Sequence, residues 1–200
     1  MRKLEPLEIY KHSITYAEKT EIPICTINEK LRKLIELEAS WFIEHYQETY
    51  EPHWKENEET NAFMGLVGQK AFEIILQKEL IFYIPNDPLT SRVYYKNYDF
   101  YIPNIGTVEI KTIPSYGWNV IIKQSEYHGN DYMVAWQMGK ENLSMVGWLT
   151  KKEVESYPIT PKGATPQTRI ASARVIPMKK LHDPKTFIEK LKTDTALHLR

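Results

Sequence analysis

A single cysteine, Cys25, stands among the 200 residues, so an intrachain disulfide and a cysteine-based zinc site are both excluded, and a reducing compartment is expected. No stretch approaches the roughly 20 consecutive apolar residues of a membrane span. The first residues, Met1-Arg-Lys-Leu-Glu-Pro6, lack the apolar run of a secretory signal, and the expectation is a cytoplasmic protein with no membrane partner. The six histidines include no His-x-x-x-His pair, and His53, His128 and His182 read as loop residues, which argues against a zinc hydrolase. Neither a Gly-x-Ser-x-Gly elbow nor a phosphate-binding or dinucleotide glycine loop is present, and Cys25 has no evident activating neighbour.

Net charge is absent too, because 26 basic and 26 acidic side chains cancel. Their distribution is uneven. Residues 1–60 hold 8 Lys and Arg against 13 Asp and Glu, whereas residues 151–200 hold 11 against 5. Between Lys162 and Lys180 lie five basic residues (Lys162, Arg169, Arg174, Lys179 and Lys180) and no acid. A neutral molecule polarised this way can present one basic face to the phosphates of DNA; the same residues read equally well as a solvated tail.

The 42% hydrophobic and 26% charged content is ordinary for a globular chain, and one domain of this length buries a core without cross-links. Three parts are expected within it: a helical part over about 1–60, a core over about 61–150 and a basic extension over about 151–200. Thr26-Ile-Asn-Glu29 has the pattern of a capping box ahead of a helix at about 27–47, and residues 48–60 read as an acidic loop. Phe63, Val67, Ala71, Phe72 and Ile75 form the apolar stripe of a helix over about 61–79.

Short β-branched or aromatic runs follow at Ile81–Ile84, Arg92–Lys96, Tyr98–Ile102, Thr107–Ile113 and Asn119–Lys123. Asp131–Met138 and Asn142–Leu149 read as a hairpin, Thr150-Lys-Lys-Glu153 as a second capping box, and 156–168 as an exposed loop. A strand at Arg169–Ile176 and a helix at Pro184–Lys192 complete an α/β chain with helices flanking a mixed sheet.

The chemistry concentrates in 98–112. In one run Phe100 and Ile102 alternate with Asp99 and Tyr101; in the next Val108 and Ile110 alternate with Glu109 and Lys111. If the turn spans Ile102–Gly106, Tyr101 pairs with Thr107 and Asp99 faces Glu109; a slip of one residue would send Asp99 to the other face. Two carboxylates beside an ammonium suit Mg²⁺ or Mn²⁺, hard cations that typically take one or two carboxylates and leave room for phosphate oxygens. Asp99 and Glu109 are the candidate ligands, with the Ile110 carbonyl a further one. Lys111 is placed to orient water and offset charge growing on phosphate. Taken alone, an Asp followed by Glu-x-Lys is commonly a solvated sheet face.

Gly65-Leu-Val-Gly-Gln-Lys-Ala-Phe72, followed by Asp99 and then Glu109-Ile-Lys111, resembles the PD-(D/E)xK (restriction-endonuclease-like) nuclease superfamily. The segments Asp131–Trp136, Val146–Thr150 and Arg174–Leu181 extend the resemblance over roughly residues 61–181. It implies a restriction-endonuclease-like central mixed β-sheet flanked by α-helices. It also implies a metal-dependent deoxyribonuclease with Asp99, Glu109 and Lys111 at its centre. Members often carry a glutamate where this chain has Gln69, so either Gln69 through a water or Glu73, one turn later, is expected to complete the site. Gln124 sits near the position where some members have a site glutamine. A homodimer would supply the two sites that cutting both strands requires. Gln69 also feeds a rival reading, a non-catalytic nucleic-acid-binding or assembly protein that keeps the fold. Tyr94, Tyr95, Tyr101, Tyr116 and Trp118 read first as sheet aromatics, with base stacking the second reading.

Overall fold

The computed structural model describes residues 12–18, 20–46, 58–85 and 98–196. Ten strands and four α-helices lie in these residues: β1 (Ile14–Tyr16), β2 (Pro23–Thr26), α1 (Glu29–Tyr46), α2 (Glu58–Lys78), β3 (Ile84–Pro85), β4 (Phe100–Ile102), β5 (Gly106–Ile113), β6 (Asn119–Lys123), β7 (Tyr132–Met138), β8 (Asn142–Thr150), α3 (Lys151–Ser156), β9 (Ile159–Thr160), β10 (Ala173–Pro177) and α4 (Pro184–Ala196). Seven strands form one mixed sheet in the order β1-β2-β8-β7-β5-β4-β3, and three form a second in the order β6-β10-β9. Only β5 and β7 run parallel. A parallel pair needs a crossover, and here the crossover is β6, which leaves the large sheet to found the small one.

The large sheet is apolar on both faces. Val108, Ile110, Val134 and Trp136 meet α1, α2 and α4 through Leu31, Ile35, Phe72, Ile75, Phe187 and Leu191. Ile113, Met133, Ala135 and Leu149 meet the small sheet and α3 through Val120, Ile122, Ile176 and Val154. That explains why Met133–Trp136 of β7 is buried without alternation, whereas β8, nearer the rim, alternates buried and half-buried residues. No helix among the described residues is long and apolar enough to cross a membrane.

Several expectations change. The region read as helical begins with the β1–β2 hairpin, docked on β8. The capping box at Thr26–Glu29 does not form. Thr26 is the last residue of β2, paired with Asn142, and the cap is Asn28, whose Oδ1 accepts from the Leu31 N–H at 2.9 Å. The box at Thr150 does form, with the Thr150 N–H donating to Glu153 Oε2 at 2.8 Å. The strand expected at Ile81–Ile84 shrinks to Ile84–Pro85, because α2 ends in a left-handed turn at Leu80 (φ 56°) with the Ile81 N–H on the Leu76 carbonyl at 2.8 Å. The 156–168 loop contains β9 and ends on a buried Thr168, and β10 starts at Ala173 instead of Arg169. Arg92–Lys96, with Tyr94 and Tyr95, lies outside the described residues, as do residues 47–57.

Candidate active site

Tight packing of α2 against β5 begins at Gly68. A Cβ there would overlap Thr112 Oγ1 and come within 3.1 Å of Ile110 Cγ2, so the helix can approach this closely only without a side chain. Its neighbour Gln69 is thereby brought to the sheet, where Nε2 donates to Asp99 Oδ1 at 2.7 Å.

Asp99 arrives from the β4–β5 hairpin. Asn104 (φ 67°) and Gly106 (φ 112°) take the left-handed conformations that the short connection demands. The register matches the expectation, with Tyr101 opposite Thr107 and Phe100 opposite Val108. Asp99 lies just before β4, its N–H donating to the Val108 carbonyl at 3.0 Å, and its carboxyl is near enough to Glu109 to feel that charge. Its carboxylate lies against β5 beyond the last β4 pair among the described residues, Oδ2 accepting from the Ile110 N–H at 2.6 Å. A strand residue's N–H and C=O leave from the same edge, so the Ile110 carbonyl faces this side as well.

Glu109 and Lys111 share the next face, with Lys111 Nζ 2.6 Å from Glu109 Oε1. Glu109 Oε2 accepts from Asn130 Nδ2 at 2.7 Å. Asn130, buried in the approach to β7, is a site residue that sequence reasoning missed; its only signal is a place between a glycine and a strand. Burial, and then the Glu109 charge, push the Asp99 carboxyl up to about 7, against the opposing pull of the Ile110 N–H, Lys111 and Gln69. Burial pulls Lys111 down, but Glu109, with Glu126 and Asp99 adding, holds it above the usual lysine value. Lys111 is therefore an ammonium here and not a base.

Among the described residues each of the four carboxylate oxygens has one donor partner, and a carboxylate oxygen can accept two. Two carboxylates and a strand carbonyl, raised in energy by their own repulsion, fit a hard divalent ion that keeps several waters. Among the described residues no three His, Cys, Asp or Glu side chains gather into a metal-holding group.

The remaining candidates divide. Glu73 is engaged by other partners, accepting from the Tyr83 hydroxyl at 2.9 Å and lying 3.4 Å from Lys70 Nζ. Gln124 is exposed in the turn after β6; two residues on, Glu126 faces the site and pairs with Lys123 at 2.7 Å. Lys162, Arg169, Lys179 and Lys180 are exposed. Arg174 is not with them. It pairs with Ile122, which is buried between the two sheets, and directly opposed residues share a face. Its guanidinium lies 4.8 Å over the Tyr127 ring, with Nε buried and lacking an acceptor. Burial and Glu155, which accepts from the Tyr127 hydroxyl at 3.1 Å, push that phenol up to about 12; Arg174 opposes this and Glu109 adds to it, so both act on one ring. Cys25 is buried, which pushes its thiol up to about 12 and leaves it inert. Comparison with known proteins finds no family, no curated protein and no solved structure that matches the chain.

Proposed function

We propose that the protein is a Mg²⁺- or Mn²⁺-dependent deoxyribonuclease of the restriction-endonuclease-like kind, probed first as an endonuclease. The observation that carries this reading is the convergence of Asp99, Glu109 and Lys111 on β5, backed by Gln69 from α2. Asp99, Glu109 and the Ile110 carbonyl would hold the ion, which supplies Lewis acidity toward a phosphoryl group and lowers the pKa of water. Lys111 orients the attacking water and offsets charge on the phosphate oxygens. Gln69 and Asn130 fix the two carboxylates. Water adds across one P–O bond, leaving a phosphate on one product and a hydroxyl on the other. The exposed Lys162, Arg169, Lys179 and Lys180 contact the backbone phosphates, and Arg174, turned toward Tyr127, does not join them.

One observation favours the rival reading of a binding or assembly protein: the α2 side chain that meets Asp99 is the amide of Gln69 and not a carboxylate. Incubation of supercoiled, linear duplex and branched DNA with Mg²⁺ or Mn²⁺, beside Asp99→Asn, separates the two. Metal-dependent products lost in the variant establish the nuclease. DNA binding by folded protein with no product on any substrate moves the assignment to the rival.

A further inference from the structure

Tyr116 and Trp118 are 81% and 79% exposed, far more than sheet aromatics. They stand on the turn between β5 and β6, and that turn is held rigidly from three sides. The Gly117 N–H donates to the Pro114 carbonyl at 2.8 Å. From β7, Gln137 Nε2 donates to the Gly117 carbonyl at 2.9 Å and reaches the Ser115 carbonyl at 3.4 Å. The Met178 N–H donates to the Trp118 carbonyl at 3.0 Å, which seats the exposed Lys179 and Lys180 next to the ring-bearing turn.

Exposed rings carried on a pinned backbone leave only their own side-chain freedom to be lost when a flat partner covers them. The two lysines, in a stretch with no acid between Lys162 and Lys180, make that partner anionic. Glu109 and Ile113 are four steps apart on β5, about 13 Å along the strand, and the ring-bearing turn follows Ile113, so one strand carries both the candidate active site and the approach to the turn. Two rings offer too little apolar area to hold a membrane, but each matches one base.

We infer that the Tyr116–Trp118 turn is a stacking platform for unpaired nucleobases, with Lys179 and Lys180 on the adjoining phosphates, so that the preferred substrate is DNA with a single-stranded segment. This substrate class rests on the nuclease reading, whereas the platform itself is tested by binding without metal. In EDTA, anisotropy is measured for labelled single-stranded, blunt-duplex and tailed-duplex oligonucleotides, with vesicles of neutral and anionic phospholipid as the competing surface. Wild-type protein is expected to prefer the single-stranded and tailed oligonucleotides. Trp118→Ala should weaken that binding by about five- to a hundred-fold and Tyr116→Ala less, while Trp118→Phe keeps most of it. Lys179→Ala with Lys180→Ala should lower the salt dependence by about two counterions. Equal affinity for blunt and tailed duplex with no effect of Trp118→Ala, or binding to vesicles and not to oligonucleotides, overturns the platform. Unchanged cleavage of blunt duplex alongside that result would leave the nuclease reading standing. Tight single-strand binding without any cleavage would sink the nuclease reading and keep the platform.

Discussion

Replacing each glycine of Gly65-x-x-Gly68 by alanine should give opposite effects. Both residues lie inside α2, where alanine is favoured over glycine by about 1 kcal/mol from backbone entropy. Gly65 is exposed and none of the described residues would lie within 4 Å of its new methyl group, so Gly65→Ala should stabilise by about 0.5–1 kcal/mol. At Gly68 the methyl group meets Thr112 Oγ1 inside 3.0 Å, and α2 would have to retreat from β5 by on the order of 1 Å. Overpacking of this kind costs about 1–3 kcal/mol, so Gly68→Ala should be neutral to destabilising by up to about 2 kcal/mol after the propensity gain. Thermal and urea denaturation read both effects, each 1 kcal/mol moving Tm by about 2–4 °C at this chain length.

Thr112 Oγ1 is buried without a hydrogen bond, so removing it strands no partner, and Thr112→Ala in the Gly68→Ala background should recover part of the loss. The retreat also stretches the 2.7 Å Gln69–Asp99 bond, so Gly68→Ala should lose cleavage activity that Gly65→Ala keeps. Equal stabilisation by the two alanines would refute close packing as the reason for Gly68.

Three further outcomes are expected. Leu80, 85% exposed and held at φ 56°, closes α2 at a cost that glycine does not bear, so Leu80→Gly should stabilise by about 1 kcal/mol in urea denaturation. Asp99, pushed up to about 7, keeps in the folded metal-free protein a proton that the unfolded chain releases near the ordinary carboxylate value. Stability should therefore fall as pH rises across that window, with Asp99→Asn flattening the slope in denaturation series. Lys111→Met, which removes the ammonium 2.6 Å from Glu109, should lower cleavage by about 100-fold or more while calorimetry still detects Mn²⁺ binding; full activity would end its role.

Local rules made much of the fold legible in the sequence. Apolar periodicity marks α2 and α4, alternation marks β5 and β8, and Thr150 with Glu153 writes its own capping box. The β4–β5 register was legible as well, because a short turn with Asn104 and Gly106 leaves one pairing that keeps Phe100 and Val108 buried together. Asp99, Glu109 and Lys111 could be named for that reason: all three are placed by one hairpin. Tertiary packing decided the rest. Thr26 and Asn28 can each cap a helix, and only the pairing of Thr26 with β8 settles the choice. Gln69 and Glu73 lie one turn apart, and the close approach at Gly68 brings one to Asp99 while the other bonds Tyr83. Asn130 reaches Glu109 because β7 runs parallel to β5, and Arg174 leaves its basic neighbours because Ile122 faces the interlayer core. Sequence carries what adjacent residues impose through backbone geometry and periodicity. Which of two equivalent side chains enters a site depends on contacts far apart along the chain, and these exist only once the sheets and helices have packed.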